Sequence, residues 1–187
     1  MHVRLREPIL AFESELEELP GVTLAQAQAL LNLSEPETLR LLRKLEREGR
    51  LTRERFSVRS VPELSGPLWS SASGEVFNAT RLESRIRGRY GEPQHVWAWS
   101  LHGVKRPLQI DHEIALSSVR VWYAKNRPDF RWVGERPRRG GLVPDATVIG
   151  PHGPVTVELV GQYRSPALRE IFTHYQEEAQ KVPLELW

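Results

Sequence analysis

Two helical patterns lie close together over residues 23–55, and this pairing constrains the fold more than any other feature of the sequence. The first pattern covers Leu24–Leu31 with Thr23 as its predicted N-cap, and the second begins after Ser34, its predicted N-cap, so only a short turn separates them. Gly49 ends the second pattern, because glycine tolerates the backbone conformation that closes a helix. An alternation of apolar and charged residues over 51–60 then predicts a strand. We therefore expect a helical unit that is closed by a strand.

The second helix and the strand that follows it are strongly basic. Residues 38–55 carry seven basic side chains against three acidic ones. Two helices followed by a strand resemble the winged helix-turn-helix of many bacterial DNA-binding proteins, in which the start of the second helix enters the major groove. The resemblance implies DNA contacts from this segment by Thr38, Arg40, Arg43, Lys44, Arg47, Arg53 and Arg55. A solvated charged helix, or a winged helix that binds protein, stays open as an alternative.

Two further segments are basic. The segment Arg81–Tyr90 precedes a strand pattern over Gln94–Ser100, and the two are predicted to pair as a hairpin that forms a wing. Whether this hairpin or the strand over 51–60 is the wing stays open. The second segment is a loop over 136–141, which suits contact with phosphate. The further candidates for DNA contact in these segments are Arg85, Arg87, Arg89, Arg138 and Arg139.

The chain has six tryptophans, which indicates packed structure rather than disorder. Trp97 and Trp99 lie two residues apart and therefore on one face of their strand. We expect both side chains in the core, with stacking on nucleic-acid bases as the alternative.

Composition excludes several chemistries. The 187 residues include no cysteine, which excludes disulfides, Cys-ligated zinc and thiol catalysis. No apolar run reaches the roughly 18 residues of a membrane-spanning helix, and the start lacks a signal-peptide core, so the expected location is the cytoplasm without membrane contact. Basic residues number 26 and 22 of them are arginine, a bias that fits phosphate recognition but also a G+C-rich genome. No glycine-rich phosphate loop is present, so no nucleotide cofactor is expected.

The C-terminal half has a regular order of helix, three strands and helix. The predicted elements cover 112–125, 130–133, 143–149, 155–160 and 166–181. Asp145 opens the second of these strands and Glu158 lies in the third. A short turn makes the two strands neighbours, so their alternation can bring both carboxylates to one end of a hairpin. Two carboxylates in that position can hold a divalent cation such as Mg²⁺.

These motifs resemble a known family. The element order, with Pro144-Asp145 before one strand and Glu158 in the next, is similar to PD-(D/E)XK nucleases. The segments HEIALSSVRVWY, WVGERP, LVPDA and VEL, in this order, look like the replication-relaxation family of plasmids, phages and integrative elements. The resemblance implies a winged helix-turn-helix over 1–106 and a small restriction-endonuclease-like αβββα domain over 107–187, an α+β or α/β architecture. It also implies duplex DNA as the partner.

The sequence departs from the nuclease pattern at one decisive position. A working site has lysine two residues after the glutamate, and Val160 stands there. Gln162 could replace the lysine in space and Glu113 could add a third carboxylate, but glutamine cannot act as a general base. The catalytic candidates are Asp145, Glu158, Gln162 and Glu113, and the metal candidates are Asp145 and Glu158.

We therefore expect a DNA-binding protein of a mobile genetic element that acts in replication, transfer or its transcriptional control. It would need no cofactor, and a second copy of the chain is a further expected partner. One alternative is an endonuclease or nickase that requires Mg²⁺ or Mn²⁺. The other is an adaptor that binds protein and has no affinity for DNA.

Overall fold

The computed structural model describes the greater part of the chain, namely residues 6–59, 64–87, 91–104, 109–134, 143–178 and 183–187. Six α-helices and eight strands in two sheets lie within these ranges, so the fold is mixed α+β, as predicted. Arg89, Arg138 and Arg139 lie outside the described residues, so their predicted roles stay predictions. No helix in the described ranges is long and apolar enough to cross a membrane.

The chain divides into two compact units, and each unit takes two segments of the sequence. Unit 1 comprises residues 1–60 and 92–121, and unit 2 comprises 61–91 and 122–187. This division differs from the predicted boundary at residue 106. The physical reason is that the segment over 61–91 contributes a strand to the C-terminal sheet and a helix to its core.

The helices of unit 1 are α1 (Arg6–Glu17), α2 (Leu24–Leu31), α3 (Glu35–Arg47) and the greater part of α5 (Ile110–Asn126). Helix α2 packs against α3, and α1 packs against α2. The side chains that these helices bury include Phe12, Leu16, Ala27, Leu42, Leu45, Ile114 and Val119. The two neighbouring helical patterns of the sequence therefore share one apolar core, as predicted.

Reciprocal caps fix where α2 and α3 begin. The Thr23 backbone N–H donates to Gln26 Oε1 at 2.8 Å, and the Gln26 N–H donates to Thr23 Oγ1 at 3.4 Å. Asn32 ends α2 in the left-handed conformation, with φ of 51°. The Ser34 N–H then donates to Glu37 Oε2 at 3.1 Å at the start of α3. The predicted capping residues are confirmed, and the short turn between the helices follows from them.

The sheet of unit 1 contains β1 (Val22–Thr23), β2 (Thr52–Arg59) and β4 (Pro93–Ser100). Its order is β1-β4-β2, all neighbours are antiparallel, and β2 pairs with β4 along the full length of both strands. The predicted strand over 51–60 thus pairs with the tryptophan-rich strand that was assigned to the alternative wing.

The predicted hairpin between Arg81–Tyr90 and the tryptophan-rich strand is wrong. Residues Ala79–Arg87 form helix α4, which belongs to unit 2. The helix arises because Ala79, Leu82 and Ile86 recur at helical spacing and are all buried. The arginines between them occupy the outer face and gave the segment its resemblance to a basic wing.

The sheet of unit 2 contains β3 (Trp69–Ser70), β5 (Arg131–Val133), β6 (Ala146–Gly150), β7 (Gly153–Glu158) and β8 (Leu184–Leu186). Its order is β3-β8-β7-β6-β5. The pairing is antiparallel except between β7 and β8, which run parallel. Strands β5, β6 and β7 follow one another as the sequence predicted.

Helix α4 packs against α6 (Ser165–Thr173), and both contribute to the core of unit 2. The buried members of this core include Trp69, Leu82, Ile86, Val160, Leu168, Tyr175, Leu184 and Leu186. A second set of aromatic rings surrounds Tyr123, whose hydroxyl donates to Glu185 Oε2 at 2.5 Å. The Glu185 carboxylate also accepts from Arg127 Nη1 at 2.7 Å and from Trp187 Nε1 at 3.2 Å, so this buried charge is fully paired.

We expect Leu45→Ala to destabilise the protein by about 2–5 kcal/mol, because it leaves a cavity beneath α3 at a fully buried position. The neighbouring Lys44→Ala is the matched control, since that side chain is exposed and its pair with Glu48 is a surface pair at 3.8 Å. Its effect should stay within about 0.5 kcal/mol. Urea denaturation of both variants measures this, and equal losses would contradict the packing described for α3.

Candidate nucleic-acid interface and carboxylate pair

Helix α3 presents one basic face to solvent. Arg40, Arg43 and Arg47 recur at spacings of three and four residues, so they share that face, and all three are exposed. The apolar residues at the intervening positions are buried, which fixes the rotation of the helix. An open groove of about 840 Å³ runs beside the basic face and is lined by Pro36, Leu39, Arg40, Arg43, Glu46, Arg47 and Arg53.

Strand β2 extends this basic face. Arg53 lines the groove, and its guanidinium lies over the ring of Trp97 in β4, 4.3 Å from the ring centroid. Arg53 Nε also lies 3.4 Å from Glu46 Oε1 of α3, which links the helix to the sheet. Arg55 is exposed and pairs with Trp97 in the β2–β4 register. The groove is thus lined by one helix and one strand of the same unit.

Some cations near this groove are already paired. Lys44 pairs with Glu48 and Arg50 pairs with Glu48 and Glu13. By contrast, Arg40, Arg43, Arg47 and Arg55 have no carboxylate oxygen within 4 Å in the part of the chain that the structure describes. Their exposed guanidinium groups can therefore bind an external anion without first breaking an ion pair.

The first turn of α3 is acidic, and this charge is part of the cap. Hydrogen bonds from the Ser34 hydroxyl and backbone N–H lower the pKa of Glu37, because they favour its charged form. Glu35 adds a second exposed carboxylate in the same turn. The cap satisfies the helix N-terminus internally, so a phosphate is favoured further along α3, beside Arg43 and Arg47.

The structure separates the predicted DNA contacts into several groups. Arg40, Arg43, Lys44, Arg47 and Arg55 are exposed as predicted, and Arg53 is half-buried between Glu46 and Trp97. Thr38 does not belong to this face, since its side chain is fully buried. It occupies the inner side of α3 because the helical period places it in line with the buried leucines.

Arg85 and Arg87 are not on a wing, because both lie on α4 in unit 2. The Arg85 guanidinium donates to the Leu68 backbone carbonyl. Arg87 pairs with Glu83 on the same helix. Hydrogen bonds from Ser165 and Arg87 lower the pKa of Glu83 to about 2, so this pair persists across the neutral range.

The prediction that the Trp97 side chain lies in the core is wrong. Trp99 is buried as expected, but Trp97 is 44% exposed. Alternation puts both on one face of β4, so burial differs along the strand rather than between its faces. The exposure of Trp97 could be inferred from its register opposite the charged Arg55. That register is known only once the strand that pairs with β4 is known.

The predicted carboxylate pair does form, within unit 2. The register pairs Ala146 with Val157, which brings Asp145 and Glu158 to the same end of the β6–β7 hairpin, where their carboxyl groups share a hydrogen bond. Asp145 Oδ2 also accepts from the Leu159 backbone N–H at 2.8 Å. Glu158 Oε1 accepts from the Tyr175 hydroxyl at 2.6 Å.

This environment favours the neutral form of Glu158. Burial and the negative charge of Asp145 raise the pKa of Glu158 to about 8, although the Tyr175 hydroxyl acts in the opposite direction. Near neutral pH the Glu158 carboxyl group therefore keeps its proton. Burial and the same two carboxyl groups also raise the pKa of Tyr163.

The remaining catalytic candidates do not complete a site around this pair in the described residues. Val160 is buried and Gln162 is exposed in the segment after β7. Glu113 is buried on α5 and belongs to unit 1, whereas Asp145 and Glu158 belong to unit 2. No cluster of three or more His, Cys, Asp or Glu side chains suited to a metal ion occurs among the residues that the structure describes. Sequence reasoning did not single out Tyr175 as the donor to Glu158.

Comparisons with protein-family models, with curated proteins and with solved structures found no match for this chain.

We expect Glu158→Gln to change how stability depends on pH. The folded chain holds the Glu158 proton more tightly than the unfolded chain, whose pKa is about 4.5. The resulting stabilisation is complete below pH 4.5, falls as the pH rises and is lost above about pH 8. Glutamine cannot titrate, so the variant does not lose this stabilisation. Between pH 4.5 and about 8, its free energy of unfolding should rise relative to that of the wild type by at most about 1.4 kcal/mol per pH unit.

Urea denaturation at several pH values between 5 and 8 measures this difference. Glu170→Gln is the matched control, because Glu170 is exposed on α6 and no ion pair or carboxyl contact is described for it. Parallel stability curves for wild type and Glu158→Gln would contradict the raised pKa.

Proposed function

We propose that unit 1 binds duplex DNA, with α3 in the major groove and the β2–β4 sheet against the flanking backbone. The observation that carries this proposal is a set of four exposed arginines that have no carboxylate oxygen within 4 Å among the described residues: Arg40, Arg43, Arg47 and Arg55. Arginine binds phosphate and guanine edges through paired N–H donors, and a helix of this width fits the major groove.

The chain connectivity of unit 1 supports the same proposal. Helix α1, strand β1, helices α2 and α3 and strands β2 and β4 follow one another, and β4 lies between β1 and β2. This is the arrangement expected of a winged helix-turn-helix, in which α3 is the recognition helix. In the sequence, the segment over 61–91 lies between β2 and β4 and belongs to unit 2.

The contacts divide into two classes. Arg40 lies nearest the start of α3 and is the candidate for a base edge. Arg43, Arg47 and Arg55 lie further along the basic face and are candidates for phosphate. The acidic cap beside Arg40 disfavours phosphate there, which restricts how the helix can approach DNA.

The resemblance to the replication-relaxation family extends the proposal to the biological role. We propose that the chain acts on the DNA of a mobile genetic element, in replication, transfer or its transcriptional control. Unit 2 is then a restriction-endonuclease-like domain that has lost its lysine, and a second copy of the chain would extend the DNA footprint.

A salt titration of DNA binding tests the interface. The full chain should bind duplex DNA at low salt and lose affinity steeply as salt rises, because bound phosphates release counterions. The double variant Arg43→Gln, Arg47→Gln should reduce the slope of log K against log salt by about 2, since each phosphate contact contributes about 0.9.

The matched control removes two arginines from unit 2, through Arg81→Gln and Arg169→Gln, both exposed. Its slope should equal that of the wild type. An equal reduction in both double variants would contradict the role of α3. Absence of binding at low salt would refute DNA recognition and favour the adaptor.

A second candidate function is metal-dependent DNA cleavage by unit 2, and one observation favours it. The carboxyl groups of Asp145 and Glu158 are in contact, so two oxygen ligands suited to Mg²⁺ lie together. The fit is partial, because Val160 occupies the position of the expected lysine and the described residues offer no third His, Cys, Asp or Glu side chain as a ligand. Glu158 must also lose its proton before it can bind a cation.

Cleavage assays separate this candidate from simple binding. Supercoiled and linear DNA are incubated with the full chain and Mg²⁺ or Mn²⁺, alongside Asp145→Asn, Glu158→Gln and the control Glu170→Gln. A nuclease should nick or cut DNA, lose that activity in the first two variants and retain it in the third. Retardation of DNA without cleavage supports the binding function alone.

A further inference from the structure

The face of the β2–β4 sheet that carries Trp97 combines an exposed ring with flanking cations. Trp97 is 44% exposed, whereas Trp69, Trp99, Trp132 and Trp187 are buried. Leaving a large aromatic surface in water forgoes the stabilisation that its burial would give. The exposed part of the Trp97 ring is therefore a surface that a partner could cover with a gain in stability.

The arginines around Trp97 indicate the chemistry of that partner. Arg53 lies over the ring, 4.3 Å from its centroid, and Arg55 is its directly opposite neighbour in the strand pairing. Arg53 also pairs with Glu46 of α3, which holds its guanidinium in position over the ring. An apolar protein surface would bury Arg55 without a counter-charge, which is costly. A nucleotide supplies both an aromatic base for the ring and a phosphate for the arginine.

The geometry of duplex DNA restricts the ligand further, to DNA that contains an unpaired base. In fully paired DNA every base is stacked between its neighbours, so its flat face cannot meet a protein ring. An unpaired base exposes that face, and its stacking on an aromatic side chain does not depend on sequence. Trp97 lies on the same sheet as Arg53, which also lines the groove of α3. A DNA that contacts both Trp97 and the groove of α3 is therefore a duplex joined to an unpaired segment.

We propose that Trp97 is a stacking site for an unpaired DNA base on the ring face opposite Arg53, so that unit 1 prefers a junction of duplex and single-stranded DNA over fully paired duplex. This proposal rests on the proposed DNA binding by α3. It adds structural selectivity, which the basic face of α3 does not provide by itself.

Binding to two matched DNAs tests the proposal. One is a fully paired duplex, and the other is a fork of the same length in which the bases at one end are non-complementary, so the two DNAs carry the same number of phosphates. Fluorescence anisotropy at fixed salt should show about tenfold tighter binding of the full wild-type chain to the fork, the gain typical of one stacked base. Trp97→Ala should lose that tenfold preference and keep the affinity for duplex.

Two further variants make the result specific. Trp97→Phe keeps an aromatic ring and should retain most of the preference, and its unfolding curve shows whether the site tolerates substitution. Val76→Ala removes an exposed apolar side chain of unit 2 and should leave both affinities unchanged. In the folded wild type, fork DNA should also quench a part of the tryptophan fluorescence that Trp97→Phe lacks.

The outcomes separate this inference from the proposed function. Equal affinity of the wild type for fork and duplex would overturn the stacking site while leaving DNA binding by α3 intact. A Trp97→Ala variant that weakens both DNAs equally would also overturn it, because the ring would then contact ordinary duplex. If the wild type binds neither DNA, both the stacking site and the proposed function fail. The double variant Arg43→Gln, Arg47→Gln should bind both DNAs more weakly. This result tests DNA binding by α3 and does not test the stacking site.

Discussion

The antiparallel pairing of β2 with β4 is the interaction on which the described face of unit 1 depends. The two strands lie far apart in the sequence, with the segment over 61–91 between them, and they pair along their full length. This register opposes Arg55 to Trp97 and brings Arg53 beside the same ring. The ion pair between Arg53 and Glu46 then ties the sheet to α3. Without the pairing, the arginines of the helix and the aromatic ring of the strand would share no surface.

The same unit shows how a nearly neutral chain can present a basic surface. The net charge is only +2, yet three acidic residues near α3, Glu37, Glu46 and Glu48, are engaged in a cap or in ion pairs. Glu37 satisfies the start of the helix, while Glu46 and Glu48 pair with cations. The arginines on the outer face are left without such partners among the described residues. Charge arrangement, rather than total charge, therefore favours an anionic ligand.

In the carboxylate pair of unit 2, protonation of Glu158 offsets the cost of burial and of charge repulsion. Asp145 and Glu158 approach because the hairpin register leaves no alternative, and burial then shifts the proton equilibrium of Glu158. The proton on Glu158 removes most of the repulsion between the two groups at neutral pH. The Tyr175 hydroxyl and the Leu159 N–H satisfy oxygens of the pair. The arrangement can thus persist as a hydrogen-bonded structural element without a metal.

The sequence by itself determined the local structure: the caps at Thr23 and Ser34, the helix breaks and the strands around Asp145 and Glu158. Local hydrogen bonds and hydrophobic period decide these features, and both are encoded within a few residues. Only the tertiary structure decided that Thr38 faces the core, that the arginines of α4 belong to unit 2 and that Trp97 faces solvent. Each of these depends on which distant segment packs against the element, and the period of a helix or strand does not specify its partner.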